Sequence, residues 1–409
     1  MANTFNLGNK KWAVNEGKVL AYNSENNNFK PLPFDFTRAS SATVVNKEGL
    51  IEVVSNNEPR IDFLNDSKGA LLLEPSRSNV LPYSSDFSQW STASGASVVG
   101  NKLGVGGSND AFEFFSDGTS STRLFYTVSI TGESSYSVFA KKNTLDYISL
   151  YANDDNNARV WFNLDNGTLG NQEGGGTGVI EDYGNGWYRC TLKWTPSNLV
   201  NVRIYNSNEN DVFGGTAGSV YIQYAQLEAG SYSTSYIPTS GSSVTRVADA
   251  CSQTPPSGII GQTEGTMYAE IDFKSKPEAG SPIVGIMTLN NNVNNLQNCI
   301  ILGIERQSGG INRFYPFVQV GNSTVAYITG GTLTDGNYKV AFAYKQNDFI
   351  LYVNGVQIGT DTNGAVPTTS QFLVGERFNS DTFKIADGIK ETKLYNTRLS
   401  NSELQVLTS

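Results

Sequence analysis

The chain contains no histidine, and this absence excludes several classes of chemistry at once. Ser-His-Asp and Cys-His catalysis both need an imidazole as general base, and many metal sites need one as ligand. The three cysteines, Cys190, Cys251 and Cys299, are odd in number and far apart, so no disulfide framework is indicated. Cys190 lies on the apolar face of a predicted strand, which indicates a buried core thiol.

Basic clusters and long apolar runs are also missing. The chain has 29 Lys and Arg against 38 Asp and Glu, a net charge of −9. This balance argues against nucleic acid and anionic membranes as partners. The first thirty residues hold no apolar run of signal-peptide length, and no segment approaches a membrane span. We therefore expect no membrane insertion and no export signal.

The residues that are present favour an all-β protein. Short runs of β-branched and aromatic residues alternate with turn residues, and no convincing helix appears before the C-terminus. The 409 residues, 38% of them hydrophobic, are enough for two or three domains with real cores. We predict an N-terminal β-hairpin anchor and connector followed by two β-sandwich (jelly-roll) domains.

The stretch from Phe34 to Tyr83 carries the most specific pattern. It reads FDFTRASSAT at 34–43, PRIDF at 59–63 and LLLEPSRSN at 71–79. These residues resemble a segment that recurs in phage tail-fibre, head-fibre and other virion-appendage proteins, where it precedes carbohydrate-binding modules. The resemblance implies that residues 1–79 form an N-terminal anchor and connector, which would dock on another subunit or on the particle.

Within this stretch the pattern predicts a hairpin. Ala42–Val45 and Leu50–Val54 are apolar runs on either side of a four-residue turn, Asn46–Gly49. Gly49 can adopt the positive φ that such a turn requires.

Residues 80–250 read as short strands at near-regular spacing, which is typical of a β-sandwich. The segments Asn185–Arg189, Gln226–Gly230 and Ser235–Thr239 resemble the carbohydrate-binding-like jelly roll of phage fibres. Related glycan-binding jelly rolls carry acidic calcium ligands in the last long strand. Here that strand reads YIQYAQ at 221–226, without an acid, so this domain departs from the calcium-binding pattern. The eight predicted strands are Ala111–Phe115, Leu124–Ile130, Tyr136–Lys141, Tyr147–Ala152, Arg159–Leu164, Trp187–Trp194, Val202–Tyr205 and Val220–Leu227.

Residues 251–264, with two adjacent prolines, are predicted to be a stiff linker. The last part, 265–409, again predicts strands, among them Phe314–Val320, with Asn354-Gly355 as a tight hairpin turn. A short helix should follow Ser400, because Ser400 and Glu403 can form a capping box. The run from Gly388 to Ser400 and the YVNG at 352–355 resemble the laminin-G/concanavalin-like lectin superfamily, which implies a sandwich but no particular activity.

Catalysis has one sequence lead, at Glu270 and Asp272. Strand alternation places both carboxylates on one face, as glycoside hydrolysis needs. The resembling laminarinase-like hydrolases carry a third acid three residues after the second, where this chain has Ser275. Because that proton donor is missing, we expect no hydrolase activity.

Calcium is the one metal for which the sequence offers ligands. Asp154–Asn157 and Asp361–Gly364 are rich in oxygen atoms, as a hard cation requires. Such clusters are more often plain turns, and no other cofactor is expected.

Sugar binding needs an aromatic ring beside polar groups on one strand face. Arg159, Trp161 and Asn163 form the best such cluster, and Trp187 with Arg189 forms the second. The alternative is that Trp161 is a core residue and that Val160 and Phe162 face outward.

Together with these features, the resemblance to phage appendage proteins implies a phage virion structural protein that displays glycan-binding sandwiches for host attachment. It would be a homotrimer assembled in the host cytoplasm, bound to other virion proteins through its N-terminal segment and to host-surface glycans. One alternative is a capsid-decorating or spacer head-fibre protein without a specific ligand, and a more remote one is a polysaccharide depolymerase.

Overall fold

The chain folds into two compact units built from antiparallel strands. A computed structural model describes residues 4–8, 12–23, 28–93, 95–196, 198–213, 215–255, 258–273, 283–291, 297–306, 311–378, 384–385 and 388–409. Unit 1 contains residues 1–41, 54–76 and 247–409, and unit 2 contains residues 42–53 and 77–246. The predicted all-β class is confirmed.

The strands follow one another closely along the chain, and a short helical turn lies at Phe87–Gln89. Before residue 80 the described strands are β1 Thr4–Gly8, β2 Ala13–Asn15, β3 Lys18–Asn23, β4 Asn28–Thr37, β5 Ala42–Val45, β6 Ile51–Val54, β7 Ile61–Asp62, β8 Ala70–Leu72 and β9 Arg77–Asn79. Up to residue 229 they are β10 Ser91–Ala93, β11 Ala96–Lys102, β12 Ala111–Asp117, β13 Arg123–Ser129, β14 Ser134–Lys142, β15 Tyr147–Asn153, β16 Arg159–Asn163, β17 Thr168–Glu173, β18 Thr177–Asp182, β19 Trp187–Trp194, β20 Leu199–Ser207 and β21 Ala217–Ala229.

After residue 229 the described strands are β22 Val244–Arg246, β23 Ala250–Gln253, β24 Glu264–Phe273, β25 Ile283–Asn290, β26 Asn298–Arg306, β27 Asn312–Phe314, β28 Phe317–Val320, β29 Ser323–Tyr327, β30 Thr332–Leu333, β31 Gly336–Lys345, β32 Asp348–Val353, β33 Val356–Asp361, β34 Gln371–Val374 and β35 Gly388–Tyr395. The helix α1, Asn401–Thr408, closes the chain.

Unit 2 is a jelly-roll sandwich of two six-stranded sheets. One has the order β10-β13-β20-β15-β16-β17, and the other has the order β11-β12-β21-β14-β19-β18. Alternate residues of both sheets, including Phe114, Val160 and Leu192, fill the core between them. All eight predicted strands of this region are present. Cys190 is fully buried in this core, and its burial raises the pKa of the thiol well above the ordinary value.

Unit 1 is a second sandwich. One run of paired strands leads from β33 through β32, β31, β24 and β35 to β1 and β3. The other leads from β4 through β23, β34, β25 and β26 to β28 and β29. Apolar residues of both runs, such as Met267, Leu302 and Phe372, share one core. The helix α1 lies on the outer side of the first run, where Leu404 contacts the buried cluster around Tyr268 and Ile350.

In unit 1 the predicted hairpin turn and the predicted helix cap are confirmed, and one predicted strand is not continuous. Asn354 and Gly355 both have positive φ, at 47° and 78°, and close the β32–β33 hairpin. Ser400 caps α1, because its hydroxyl accepts from the Glu403 amide while Glu403 accepts from the Ser400 amide. The single strand predicted over Phe314–Val320 is divided into β27 and β28, and Pro316, which lacks an amide hydrogen, lies at the break.

The predicted hairpin is also present. β5 pairs with β6 in a two-stranded sheet, and Gly49 has a φ of 76° in the turn. The side chain of Asn46 accepts from the amides of Glu48 and Leu50, which fixes the turn.

The N-terminal residues are placed differently from the prediction. Residues 1–79 were expected to form a segment that docks elsewhere, but β1 pairs with β35, and β4 pairs with β3 and β23 of unit 1. Phe5, Leu7 and Phe34 are buried in the unit 1 core, with 5.2 Å between the ring centroids of Phe5 and Phe34. These strands are short alone, and the sandwich of the same chain supplies the apolar partner they need.

The predicted linker 251–264 also belongs partly to the sandwich. Cys251 lies in β23, which pairs with both β4 and β34, and Ile260 is buried in the core. Pro256 and Ser257 lie outside the described residues. The C-terminal segment of the unit 1 sandwich therefore begins before residue 265, where the sequence analysis placed the boundary.

Arg38, Arg60 and Glu74 of the FTRAS, PRID and LLLEP runs form a buried ionic network with Asp249 in unit 1. Arg38 donates from Nη1 to Asp249 Oδ1 at 3.0 Å, and Arg60 donates to Glu74 Oε2 at 2.7 Å. Arg60 also pairs with Asp249 Oδ2, and the amide of Glu74 donates to the same oxygen at 2.9 Å. Burial alone would lower the pKa of Arg60, but Asp249 and Glu74 beside it raise that pKa above its ordinary value. The network joins three separate chain segments to Asp249, so these residues hold the fold of unit 1.

Candidate functional site

The first predicted cluster lies on β16 of unit 2. Val160 and Phe162 point into the core between the sheets, so Arg159, Trp161 and Asn163 share the opposite face, as predicted. Trp161, however, is fully buried on that face. Neither alternative of the sequence analysis describes it: Trp161 points away from the main core, yet it is not exposed.

The segment after β20 buries Trp161. The ring of Phe213 lies 4.9 Å from the Trp161 ring and 4.5 Å from the Tyr205 ring, measured between centroids. The indole nitrogen of Trp161 donates to the carbonyl of Val212 at 3.5 Å. Because the ring is covered on its outer side, it cannot act as a stacking surface for a ligand.

The two polar members of the cluster are already engaged. Arg159 forms an ion pair with Glu173, and its guanidinium carbon lies 5.5 Å from the Trp161 ring centroid. Asn163 donates to the hydroxyl of Tyr147 at 2.9 Å and accepts from the amide of Asp165 at 2.8 Å. Asn163 therefore holds the turn after β16.

The exposed part of this sheet is a row of side chains across neighbouring strands. The strand register places Phe125 opposite Arg203, Arg203 opposite Tyr151, and Tyr151 opposite Arg159. All four are partly exposed, and so is Phe213, whose ring stacks at 5.9 Å on Tyr151. We call Phe125, Tyr151, Arg159, Arg203 and Phe213 the aromatic–arginine face.

Polar atoms surround the Tyr151 ring of this face. The guanidinium carbon of Arg203 lies 5.3 Å from the Tyr151 ring centroid, and that of Arg159 lies 5.7 Å from it. Arg203 Nε donates to Asn201 Oδ1 at 2.7 Å, and the Tyr151 hydroxyl donates to Asn157 Oδ1 at 2.7 Å. A flat ring can cover the apolar face of a pyranose while guanidinium and amide groups bind its hydroxyls. The aromatic–arginine face has both kinds of group.

Sequence reasoning missed Tyr151, Arg203, Phe125 and Phe213. Tyr151 and Arg203 lie on strands that were predicted, and alternation with the apolar residues of those strands would have placed both outward. Their proximity depends on the pairing of β15 with β20, which are about fifty residues apart in the chain. No local pattern specifies such a pairing.

The second predicted pair, Trp187 and Arg189, lies on the other sheet of unit 2 and is buried. Arg189 donates to the carbonyl of Thr234 at 2.7 Å and to the hydroxyl of Ser137 at 3.0 Å. Burial alone would lower the pKa of Arg189, but Tyr183 and Glu181 raise it. Arg189 therefore ties the chain after β21 to the sheet and is not available to a ligand.

A pocket of about 270 Å³ lies beside Trp187. Its lining includes Tyr183, Tyr221 and Lys141, and Lys141 donates to the carbonyl of Asn185 at 2.7 Å. This volume is just below the range of about 300–1,000 Å³ that is common for ligand pockets. The aromatic–arginine face combines partly exposed rings with two guanidinium groups, so we take it as the main candidate.

The two oxygen-rich loops are turns held by their own carboxylates. Asp154 accepts from the amide of Asn156 and from the indole of Trp194, at 3.0 and 2.9 Å. Asp361 accepts from the amides of Asn363 and Tyr327, at 3.0 and 3.1 Å. Within the described residues, no group of three or more Cys, Asp or Glu side chains is arranged to hold a metal ion.

The predicted carboxylate pair shares the outer side of β24. Met267, Ala269 and Ile271 point into the core, which leaves Glu270 and Asp272 on the opposite face. Ser275 lies outside the described residues. Cys251 and Cys299 are buried free thiols, and burial raises the pKa of Cys299 to about 12, which makes it a poor nucleophile at neutral pH.

A known family profile matches the C-terminal part of the chain. The profile of the concanavalin A-like lectin/glucanases superfamily matches residues 248–405. This range agrees with the last segment of unit 1, residues 247–409. A search of curated protein sequences gives no match. Among the described residues, no helix has the length and apolar character that a membrane-spanning helix needs.

Solved structures show partial similarity. The CBM40 domain of a Ruminococcus gnavus IT-sialidase, bound to α2,3-sialyllactose, has a TM-score of 0.30 at 16% identity over 36% of this chain and 84% of its own. Domain 4 of a Geobacillus stearothermophilus extracellular arabinanase, bound to arabinotriose, has a TM-score of 0.30 at 14% identity over 44% and 83%. Tailspike protein 2 of an Escherichia coli O157:H7 bacteriophage has a TM-score of 0.26 at 16% identity over 34% of this chain and 20% of its own. At these scores no functional conclusion follows from the similarities.

Proposed function

We propose that the chain is a phage virion appendage protein that binds host-surface glycans through the aromatic–arginine face of unit 2. The observation that carries the glycan-binding part is Tyr151, a partly exposed ring between Arg159 and Arg203. The virion part rests on the resemblance of residues 34–79 to phage appendage proteins. Assembly in the host cytoplasm belongs to the same proposal.

Two parts of the proposal, attachment to other virion proteins and assembly of a homotrimer, rest on arguments other than the N-terminal segment. The N-terminal strands bury their apolar residues in unit 1, so contacts with other virion proteins no longer follow from an unburied N-terminal segment. We retain a homotrimer because fibres commonly close by cyclic symmetry. The mass of the full chain, measured by light scattering, tests it.

Tyr151→Ala should abolish detectable glycan binding. A shallow site buries few ligand atoms, so we expect an affinity on the order of millimolar, and loss of the stacking ring leaves little of it. Display on an oligomer can raise avidity by about 10²–10⁴ and make the loss easy to measure. Binding to a bacterial glycan array and to host cells, measured for the full chain, is the readout.

Tyr151→Phe is the matched control for this prediction. It keeps the ring and removes only the hydroxyl that contacts Asn157, so array binding should persist. If Tyr151→Ala binds like the unchanged protein while the melting temperatures agree, the glycan site lies elsewhere.

A spacer or capsid-decorating role without a specific ligand is the second candidate. It is favoured by the burial of Trp161, Trp187 and Arg189, which makes three of the five sequence-predicted contacts structural. Absence of binding across the array and to host cells would support this role against the first.

We also propose that the protein does not hydrolyse polysaccharide. Glu270 and Asp272 supply two carboxylates, but the sequence has serine at the position of the resembling proton donor. Incubation with host capsular and surface polysaccharides should leave their size distributions unchanged. Shortened chains, together with loss of the effect in Glu270→Gln, would contradict this proposal.

A further inference from the structure

We infer that the aromatic–arginine face selects acidic saccharides, with Arg203 and the neighbouring Arg123 pairing with a sugar carboxylate. The inference rests on the proposed glycan binding and narrows it to one chemical class. It is carried by the hydrogen-bond partners of the two guanidinium groups.

Arg203 keeps an uncompensated charge at the centre of the face. Its Nε donates to the amide oxygen of Asn201 at 2.7 Å, and its Nη1 donates to the hydroxyl of Tyr205 at 3.2 Å. Both acceptors are neutral, and no carboxylate of the described residues pairs with this guanidinium. An arginine has five N–H donors, so the fork retains donors for a further acceptor.

Arg123 adds a second such cation on the same side of the sheet. It lies opposite Tyr205, one pleat from Arg203 along the neighbouring strand. Its Nη1 donates to the carbonyl of Ser121 at 3.0 Å, and its guanidinium carbon lies 5.8 Å from the Phe125 ring centroid. Across the described part of the chain, Arg123 has no carboxylate partner either.

Other cationic side chains of unit 2 form ion pairs with carboxylates. Arg159 pairs with Glu173, Lys102 with Glu113, and Lys142 with Asp165. The whole chain has 38 acidic against 29 basic side chains, so a shortage of carboxylates does not explain unpaired arginines.

The acids on the segment after β20 form no ion pair with these arginines. Glu209 and Asp211 lie on the exposed segment that leads to Phe213, and within the described residues neither forms an ion pair with Arg123 or Arg203. An incoming anion compensates arginine charges that no carboxylate of the described residues pairs with.

A carboxylate is the anion that fits this arrangement. The planar guanidinium fork matches a carboxylate geometrically, and such charge-assisted hydrogen bonds are roughly twice as strong as neutral ones. With the exposed part of Tyr151 against the sugar ring, a uronic or other carboxyl-bearing sugar uses both features of the face.

Carboxyl reduction of the glycans provides the sharpest test. The full chain is applied to a panel of bacterial surface polysaccharides, each printed as isolated and after conversion of its carboxylates to primary alcohols. We expect binding to carboxyl-bearing polysaccharides and loss of at least about 10-fold in apparent affinity after reduction. Binding should also weaken as salt rises, because the contact is ionic and partly exposed.

Variants connect this preference to Arg203. Arg203→Gln should lower apparent affinity for the acidic glycans by about 10-fold or more, and Arg203→Lys, which keeps the charge without the fork, should lose less. Lys142→Gln is the control, because that exposed cation already pairs with Asp146 and Asp165 and lies outside the face, and it should bind normally.

The outcomes separate this inference from the proposed function. Tyr151-dependent binding that survives carboxyl reduction, or binding only to neutral or phosphorylated glycans, overturns the acid preference and leaves glycan binding intact. No binding to any glycan contradicts both.

Discussion

Asp249→Asn should destabilise unit 1 by about 3–5 kcal/mol, the usual result of removing one partner from a buried ion pair. Asp249 accepts from Arg38, from Arg60 and from the amide of Glu74, and the side chains of Asp249 and both arginines are fully buried. The substitution keeps the shape of the side chain and removes its charge. Arg60 retains Glu74, whereas Arg38 loses its ion pair with Asp249.

The stabilities of the two units must be measured separately, because a chain with two compact units does not generally unfold in a single transition. Hydrogen exchange followed by mass spectrometry in a urea series gives local stabilities. Peptides from β24 and β35 report on unit 1, and peptides from β14 and β19 report on unit 2. We expect the loss of protection in the first pair.

Asp35→Asn is the matched control in the same unit. Asp35 pairs with Lys18 at 2.9 Å, but the two side chains are 64% and 46% exposed. Exposed pairs contribute about 0–1 kcal/mol, so this variant should stay close to the unchanged protein. Equal and small effects of both variants would show that the buried network does not stabilise unit 1.

This network also shows where sequence reasoning ends. The FTRAS, PRID and LLLEP runs were recognised as one specific pattern, but their charges were assigned to no contact. Arg38 and Asp249 are 211 positions apart, so only the fold brings them together. The structural reason for the pattern is that the two arginines and Glu74 converge on one aspartate.

Elements with local causes were predictable. The strands of unit 2, the Asn354-Gly355 hairpin and the capped helix after Ser400 follow from alternation, turn chemistry and capping, which act over a few residues. The partners of β1 and β4 were not predictable, because edge-to-edge pairing with β35 and β23 depends on distant sequence.

The candidate site likewise has one feature that the sequence predicted and one that it did not. Alternation correctly placed Arg159, Trp161 and Asn163 on one side of β16. It could not show that Phe213, about fifty residues later, covers Trp161. A face that is open in a single strand can be closed by a loop, so exposure is a property of the folded unit.

Trp161→Ala should lower the stability of unit 2 by about 3–5 kcal/mol, the range for truncation of a buried tryptophan. The ring contacts Phe213 and lies under the guanidinium of Arg159, and its indole nitrogen donates to Val212. Its removal leaves a cavity beneath the covering segment. Exchange of β14 and β19 peptides in the same urea series should accelerate, while β24 and β35 peptides should not change.

The stability of Tyr151→Ala is the comparison for that of Trp161→Ala. Tyr151 belongs to the same side of the sheet, but part of its ring faces water, so its truncation should reduce stability clearly less than that of Trp161. We therefore expect a division of roles, in which Trp161 supports the face and Tyr151 contacts the glycan. Trp161→Ala with unchanged exchange and lost glycan binding would reverse this assignment. It would mean that Phe213 moves aside and that the tryptophan itself receives the sugar.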